Sequence, residues 1–242
     1  MVDGTWKVGD VVGTHTETPS ARSIQIDVPG WPGNIAGQHV DVRLTAPDGY
    51  TAVRSYSLAS SGPDARVELA VDRFPDGEVS PYLVDELRAG DQLELRGPLG
   101  AWFVWRPTDT SPVQLIGGGS GIVPLMAMIR AHAAVGSTVP FRLLYSVRTP
   151  HDVFFAAELA ELAANTVSPL EVTYVYTRQV PPGWPVAAGR LTSAALADAT
   201  LPAKGDPAVF VCGPTGFVES VATWLVELGH DADIVKTERF GG

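Results

Sequence analysis

The chain has 242 residues, a formal net charge of −10, an apolar fraction of 45% and a single cysteine. That length holds one large or two small domains, and the acidic balance disfavours nucleic acid and anionic membrane surfaces as partners. The lone Cys212 excludes an internal disulfide and any iron–sulfur or zinc centre built on several thiolates of this chain, and His15, His39, His132, His151 and His230 show no ligand spacing, so no metal site is expected.

The start, Met1-Val2-Asp3-Gly4-Thr5-Trp6-Lys7, lacks the basic segment and apolar run of a signal peptide, and a cytoplasmic protein is expected. Nowhere does an apolar run approach the roughly 20 residues of a membrane-spanning helix. Up to about Pro107 apolar residues alternate: Ile24, Ile26, Val28; Val40, Val42, Leu44; Val67, Leu69, Val71; Leu93, Leu95. Period two predicts half-buried antiparallel strands, and the Gly and Pro turns between them predict a small barrel that protects its strand edges. One short helix interrupts this half, with Ser80 as its N-cap and Pro81 at its first position, so its free amides form an anion site.

After a Pro- and Thr-rich linker at 107–112 the pattern changes to strands alternating with helices. Val113 to Ile116, Phe141 to Tyr145, Leu170 to Tyr176, Ala208 to Val211 and Ile234-Val235 read as strands. Helices are expected from Ile122 to Ala134, Phe155 to Ala164 and about Phe217 to Leu228. This is a parallel sheet with helices on both faces. The expected domains are therefore residues 1–107 and 112–242.

Within Arg54-Ser55-Tyr56-Ser57-Leu58-Ala59-Ser60, a strand puts Arg54 and Tyr56 on one face and Ser57 on the other. Arg54 suits a phosphate, Tyr56 offers a ring for stacking, and Ser57 a hydroxyl; an ordinary barrel strand has the same residue types. Gly117-Gly118-Gly119-Ser120-Gly121-Ile122-Val123-Pro124 follows a strand and opens a helix, where bare amides can meet a pyrophosphate, although structural turns use glycine too. Cys212, at a strand end, reads by itself as a small buried hydrophobe.

In order and spacing these segments resemble the motifs of the ferredoxin-NADP reductase family: Arg54-x-Tyr56-Ser57, Gly77-Glu78-Val79-Ser80, Gly97-Pro98-Leu99-Gly100, the glycine loop, and Cys212-Gly213-Pro214. The resemblance implies an N-terminal antiparallel six-stranded flavin-binding β-barrel and a C-terminal Rossmann-like parallel sheet. It implies that FAD is held by Arg54, Tyr56, Ser57, Val71, Arg73, Gly77, Val79, Ser80 and Phe240, with Arg54 and Ser80 on the pyrophosphate, Tyr56 on the flavin ring and Ser57 near its N5. FMN could use the same groups. The nicotinamide cofactor falls to Gly118, Gly119, Ser120, Gly121, Cys212, Gly213 and Pro214.

Catalytic roles fall to Ser57, to Cys212 as a positioning group rather than a nucleophile, and to Glu238 as a hydrogen-bonding or proton-relaying group. Ser146, Arg148, Arg178 and Arg190 resemble positions that bind the 2′-phosphate of NADPH, which is favoured over NADH because no acid follows the second strand until Asp152. The C-terminal Lys236 to Gly242 is either a flavin cover through Phe240 or a frayed tail. The resemblance implies a standalone reductase without an iron–sulfur domain. It would take hydride from NADPH, in a cleft between the domains, and pass single electrons to a separate ferredoxin, haem protein or oxygenase component. The rival reading is a non-catalytic flavin- or nucleotide-binding subunit. Oligomeric state stays open, a monomer included.

Overall fold

The structure, a computed structural model, describes residues 5–240; the start of the chain before Thr5 and the glycines after Phe240 lie outside the described residues. By contact density it divides into two units, Met1–Arg106 with Met126–Ala131, and Pro107–Leu125 with His132–Gly242.

The first unit is a six-stranded antiparallel sheet in the order β4-β3-β6-β1-β2-β5. Its strands are β1 (Lys7–Thr18), β2 (Ala21–Asp27), β3 (His39–Thr45), β4 (Thr51–Ser57), β5 (Arg66–Asp72) and β6 (Gln92–Leu99). Just past β4 the chain pairs with β5 through a Leu58–Leu69 bridge and an Ala59 N–H to Glu68 carbonyl bond of 2.7 Å, which joins the two edges into a barrel. The alternating residues read from the sequence fill its interior: Ile24, Ile26, Val40, Val42, Val67, Leu69 and Leu95 are each fully buried. Burial of such side chains stabilises the fold by about 1.5–3 kcal/mol apiece.

The second unit is a five-stranded sheet in the order β11-β10-β7-β8-β9, all of it parallel. It contains β7 (Val113–Gly118), both ends of α1 (Ile122–Ala134, of which Met126–Ala131 groups with the first unit), β8 (Phe141–Val147), α2 (Ala156–Ala163), β9 (Leu170–Tyr176), α3 (Ser193–Ala199), β10 (Ala208–Pro214), α4 (Thr215–Glu227) and β11 (Val235–Phe240). Helices cover both faces. Ile116, Leu144, Val209 and Val211 pack with Val218, Val221 and Leu225 of α4 on one face, and His132 of α1 stacks on Phe141, which points the other way, at 4.0 Å.

Two expectations need correction. Ser80 does not cap a helix: a single π-type turn, Tyr82–Glu86, follows Pro81 with no side-chain cap, and the Ser80 hydroxyl accepts the Phe74 N–H at 3.0 Å. The nearby turn, Gly77 N–H to the Phe74 carbonyl at 2.9 Å, brings that amide within reach and outcompetes the cap. Phe155 stands outside its helix at φ 56°, as the left-handed residue before α2. Of the two readings left open for the C-terminal residues, a frayed tail does not hold up to Phe240, because β11 continues through it as an edge strand.

Among the described residues no helix is long and apolar enough to cross a membrane. No group of three or more His, Cys, Asp and Glu side chains among them could hold a metal ion.

Candidate active site

In the first unit, strand β4 sets Arg54 opposite Val42, Tyr56 opposite Val40 and Ser57 opposite His39. Since Val40 and Val42 point into the barrel, Tyr56 packs half-buried against the core, and burial pushes its hydroxyl up to about 12, against a smaller downward pull from Arg54. Ser57 turns to the outer face. The Arg54 side chain is 53% exposed and ion-paired with Glu78, which joins the two segments expected to hold a flavin. Glu78 also accepts the Tyr50 hydroxyl at 2.6 Å; that bond first, and Arg54 with it, hold the carboxyl below its ordinary range.

Val71 and Val79 are buried and can offer a ligand only backbone. Arg73 is turned to Asp85 at 2.7 Å. Gly77 lies at the centre of the compact turn, where an added Cβ would stand 3.0 Å from the Ser80 hydroxyl. The pieces fit a flavin nucleotide: a cation and a ring lie on one strand face, beside a turn whose 52% exposed Phe74 adds a second aromatic surface.

In the second unit, Gly118 ends β7, a short 3-10 turn spans Gly119–Gly121, and α1 begins at Ile122. Gly121 is there for contact, because a Cβ would stand 2.1 Å from the Cys212 carbonyl oxygen. Gly118 and Gly213 are restricted less severely, each leaving 2.8 Å to the Phe217 ring. Gly119, by contrast, has φ +55° and nothing within 4 Å of where its Cβ would be. Beside Ser120, it is a backbone cradle open to a phosphate, so this end of the sheet fits a dinucleotide.

Cys212 is 2% exposed. Burial first, then the Glu238 charge, push its thiol up, so it stays a neutral thiol. Parallel pairing puts Glu238 beside Cys212 and Phe240 beside Pro214. Burial raises the Glu238 carboxyl to about 7.

Ser146 pairs with Gly118 at the end of β8. The Arg148 carbonyl accepts the Arg178 N–H at 2.8 Å, and the Gly189 N–H reaches the Tyr176 carbonyl at 3.0 Å, which draws Arg148, Arg178 and Arg190 to the ends of β8 and β9. None of the three forms an ion pair among the described residues, whereas Arg43, Arg54, Arg66, Arg73, Arg96, Arg130, Arg142 and Arg239 all do. Asp152, the nearest acid, accepts the Thr149 N–H and hydroxyl at 2.9 and 2.7 Å and closes a turn of its own. The loop from Gln179 to Pro185 folds over β9, with Trp184 edge-on to Tyr176 at 5.1 Å.

Sequence reasoning missed Tyr50 and Phe74, and gave Glu78 no role. Their significance lies in pairing across strands and turns, which no local pattern reveals.

Residues 20–104 match a model described as an oxidoreductase FAD-binding domain, and residues 115–223 match an oxidoreductase NAD-binding domain. The pair defines the class: a chain built of an FAD-binding and an NAD-binding oxidoreductase domain. The chain is 32% identical over 208 residues to the glycine betaine monooxygenase reductase subunit of Chromohalobacter salexigens, covering 85% of this chain and 55% of that one. It is 34% identical to the ferredoxin reductase component of the 3-ketosteroid-9-alpha-monooxygenase of Mycolicibacterium smegmatis, covering 93% and 62%. Among solved structures, the flavohem-like FAD/NAD binding domain of nitric oxide dioxygenase from Vibrio cholerae O1 biovar El Tor superposes with a TM-score of 0.85 at 26% identity, covering 98% and 99%. The chain carries the oxidoreductase FAD-binding and NAD-binding domains that these models describe, and the proteins it is similar to include ferredoxin reductase components of oxygenase systems. It spans little more than half the length of the first curated relatives it matches.

Proposed function

We propose that this chain is an FAD-dependent NAD(P)H reductase that serves a separate electron acceptor, a ferredoxin, a haem protein or an oxygenase component. The nicotinamide cofactor supplies hydride, and FAD takes it up and releases electrons singly. The observation that carries this reading is the approach of Gly121 to the Cys212 carbonyl, which makes the glycine loop and the Cys-Gly-Pro strand end one site beside the open Gly119.

In this reading Gly118, Gly119, Ser120 and Gly121 bind the dinucleotide phosphates through backbone, while Cys212, Gly213 and Pro214 seat the nicotinamide. Glu238 holds or moves a proton beside them. Arg54 takes the FAD pyrophosphate, with backbone support from Val71, Arg73, Gly77, Val79 and Ser80. Tyr56 orients the flavin ring and excludes water, and the Ser57 hydroxyl hydrogen-bonds at N5. The barrel domain ends at residue 107 and the nucleotide domain starts at 112. A cytoplasmic setting belongs to the same proposal, since a single buried thiol suits a reducing compartment.

NADPH is the preferred donor. Three arginines without ion pairs, with Ser146 at the β8 end, suit a 2′-phosphate, and Asp152 is occupied in its own turn. Arg148→Ala should raise KM for NADPH about tenfold, the worth of a charged hydrogen bond, and leave KM for NADH nearly unchanged. Equal losses would remove the 2′-phosphate assignment. Stopped-flow mixing of the FAD-loaded protein with NADPH tests the main reading: bleaching of the flavin band is expected, and no bleaching with NADPH or NADH would leave a non-catalytic binding subunit in its place.

A further inference from the structure

The guanidinium assigned to the FAD pyrophosphate already has an anion on it. Glu78 is ion-paired with Arg54, and its other oxygen accepts the Tyr50 hydroxyl at 2.6 Å. Tyr50 is itself fixed in the turn between β3 and β4, where its carbonyl accepts the Ala46 N–H at 2.8 Å and its N–H donates to Asp48 at 3.0 Å. Arg54 donates one Nη to a single Glu78 oxygen and the other to the Val53 carbonyl at 2.8 Å. A carboxylate oxygen makes with a guanidinium the charge-assisted bond that a phosphate oxygen makes, so Glu78 occupies a donor that the cofactor would use.

We propose that Glu78 is a built-in competitor for the FAD phosphate, which the cofactor must displace from Arg54 in order to bind. The inference rests on the assignment of Arg54 to the pyrophosphate. Displacement requires only a side-chain swing, because the backbone around Glu78 is pinned by the Gly77 to Phe74 bond and by the Ser80 hydroxyl. The consequence is selectivity. A small inorganic anion meets an already neutralised arginine, whereas FAD brings a ring to stack on Tyr56 as well as a phosphate. Both partners are about half exposed, with side-chain values of 53% and 45%, so the competition is worth a few-fold rather than orders of magnitude.

Titration of the apoprotein with FAD, followed by flavin fluorescence, tests this directly. Glu78→Gln should tighten FAD binding about fivefold and leave riboflavin, which has no phosphate, unchanged. Inorganic phosphate should compete with FAD more strongly in that variant. Tyr50→Phe should shift FAD affinity in the same direction by less, and in an Arg54→Ala background Glu78→Gln should have no effect. FAD affinity that is unchanged or weaker in Glu78→Gln, while the parent chain binds FAD, would overturn the proposal. Unchanged FAD affinity in Arg54→Ala alone would remove the assignment beneath it, and the proposal with it.

Discussion

Gly121→Ala should destabilise the nucleotide-binding unit by about 2–3 kcal/mol and slow flavin reduction by NADPH about 100-fold. The added Cβ would stand 2.1 Å from the Cys212 oxygen, 2.5 Å from its carbonyl carbon and 2.8 Å from the Gly213 nitrogen. All three are backbone atoms, so no rotamer change relieves the clash. Either the start of α1 or the end of β10 must move by about 1 Å, a displacement of the size that costs two orders of magnitude in a reaction dependent on alignment. FAD content should stay at the parent level, because the barrel is untouched. Gly119→Ala is the contrast: with open space around it, only its φ of +55° opposes a side chain, at a cost of about 1 kcal/mol. Urea unfolding and single-turnover reduction of both variants check this. Parent-like behaviour of Gly121→Ala in both measurements would show that the glycine loop and the Cys212 strand end do not constrain one another.

The barrel was legible wherever its interior positions could carry branched side chains, as at Ile24, Ile26 and Val67, Leu69, Val71. Strand β1 escaped for a physical reason. At Gly9 a Cβ would meet Ile26 Cγ2 at 2.6 Å, so the packed position must be glycine and the apolar alternation that marks a strand is broken there. The glycine loop was legible because both of its flanks, the Val113 to Ile116 strand and the start of the Ile122 helix, are nearly continuous apolar runs that are buried throughout. The pairing of Cys212 with Glu238 depends on parallel register between β10 and β11, and the Arg54 pairing with Glu78 depends on where a turn settles. Neither register nor turn geometry is written in local spacing. Ser80 failed in the opposite way: the capping rule read its neighbours in sequence, while the hydroxyl bonded the Phe74 amide six residues back.

Glu238→Gln should remove a pH dependence that the parent chain shows in both stability and rate. Burial raises this carboxyl from 4.5 to about 7 in the folded chain. The folded state keeps the proton up to about pH 7 while the unfolded state releases it near 4.5, so between these values the unfolded state binds fewer protons. Stability therefore declines as pH rises through that window and levels off above it, by about 2–3 kcal/mol after allowance for partial exposure. Glutamine cannot ionise. The variant should be the more stable protein at pH 8, with the difference fading towards pH 4. Cys212 adds nothing to this window, since burial and the Glu238 charge keep its thiol protonated throughout. Activity should move the opposite way. A carboxylate beside Cys212 stabilises the positive nicotinamide ring that hydride donation leaves, so the parent's reduction rate should rise through about pH 7, and the variant's should be flat and about tenfold lower at pH 8. Unfolding curves and single-turnover reduction from pH 5 to 9 measure both. A variant with the parent's slope in each would place the titrating group elsewhere in the chain, and with it the proton assigned to the edge of the sheet.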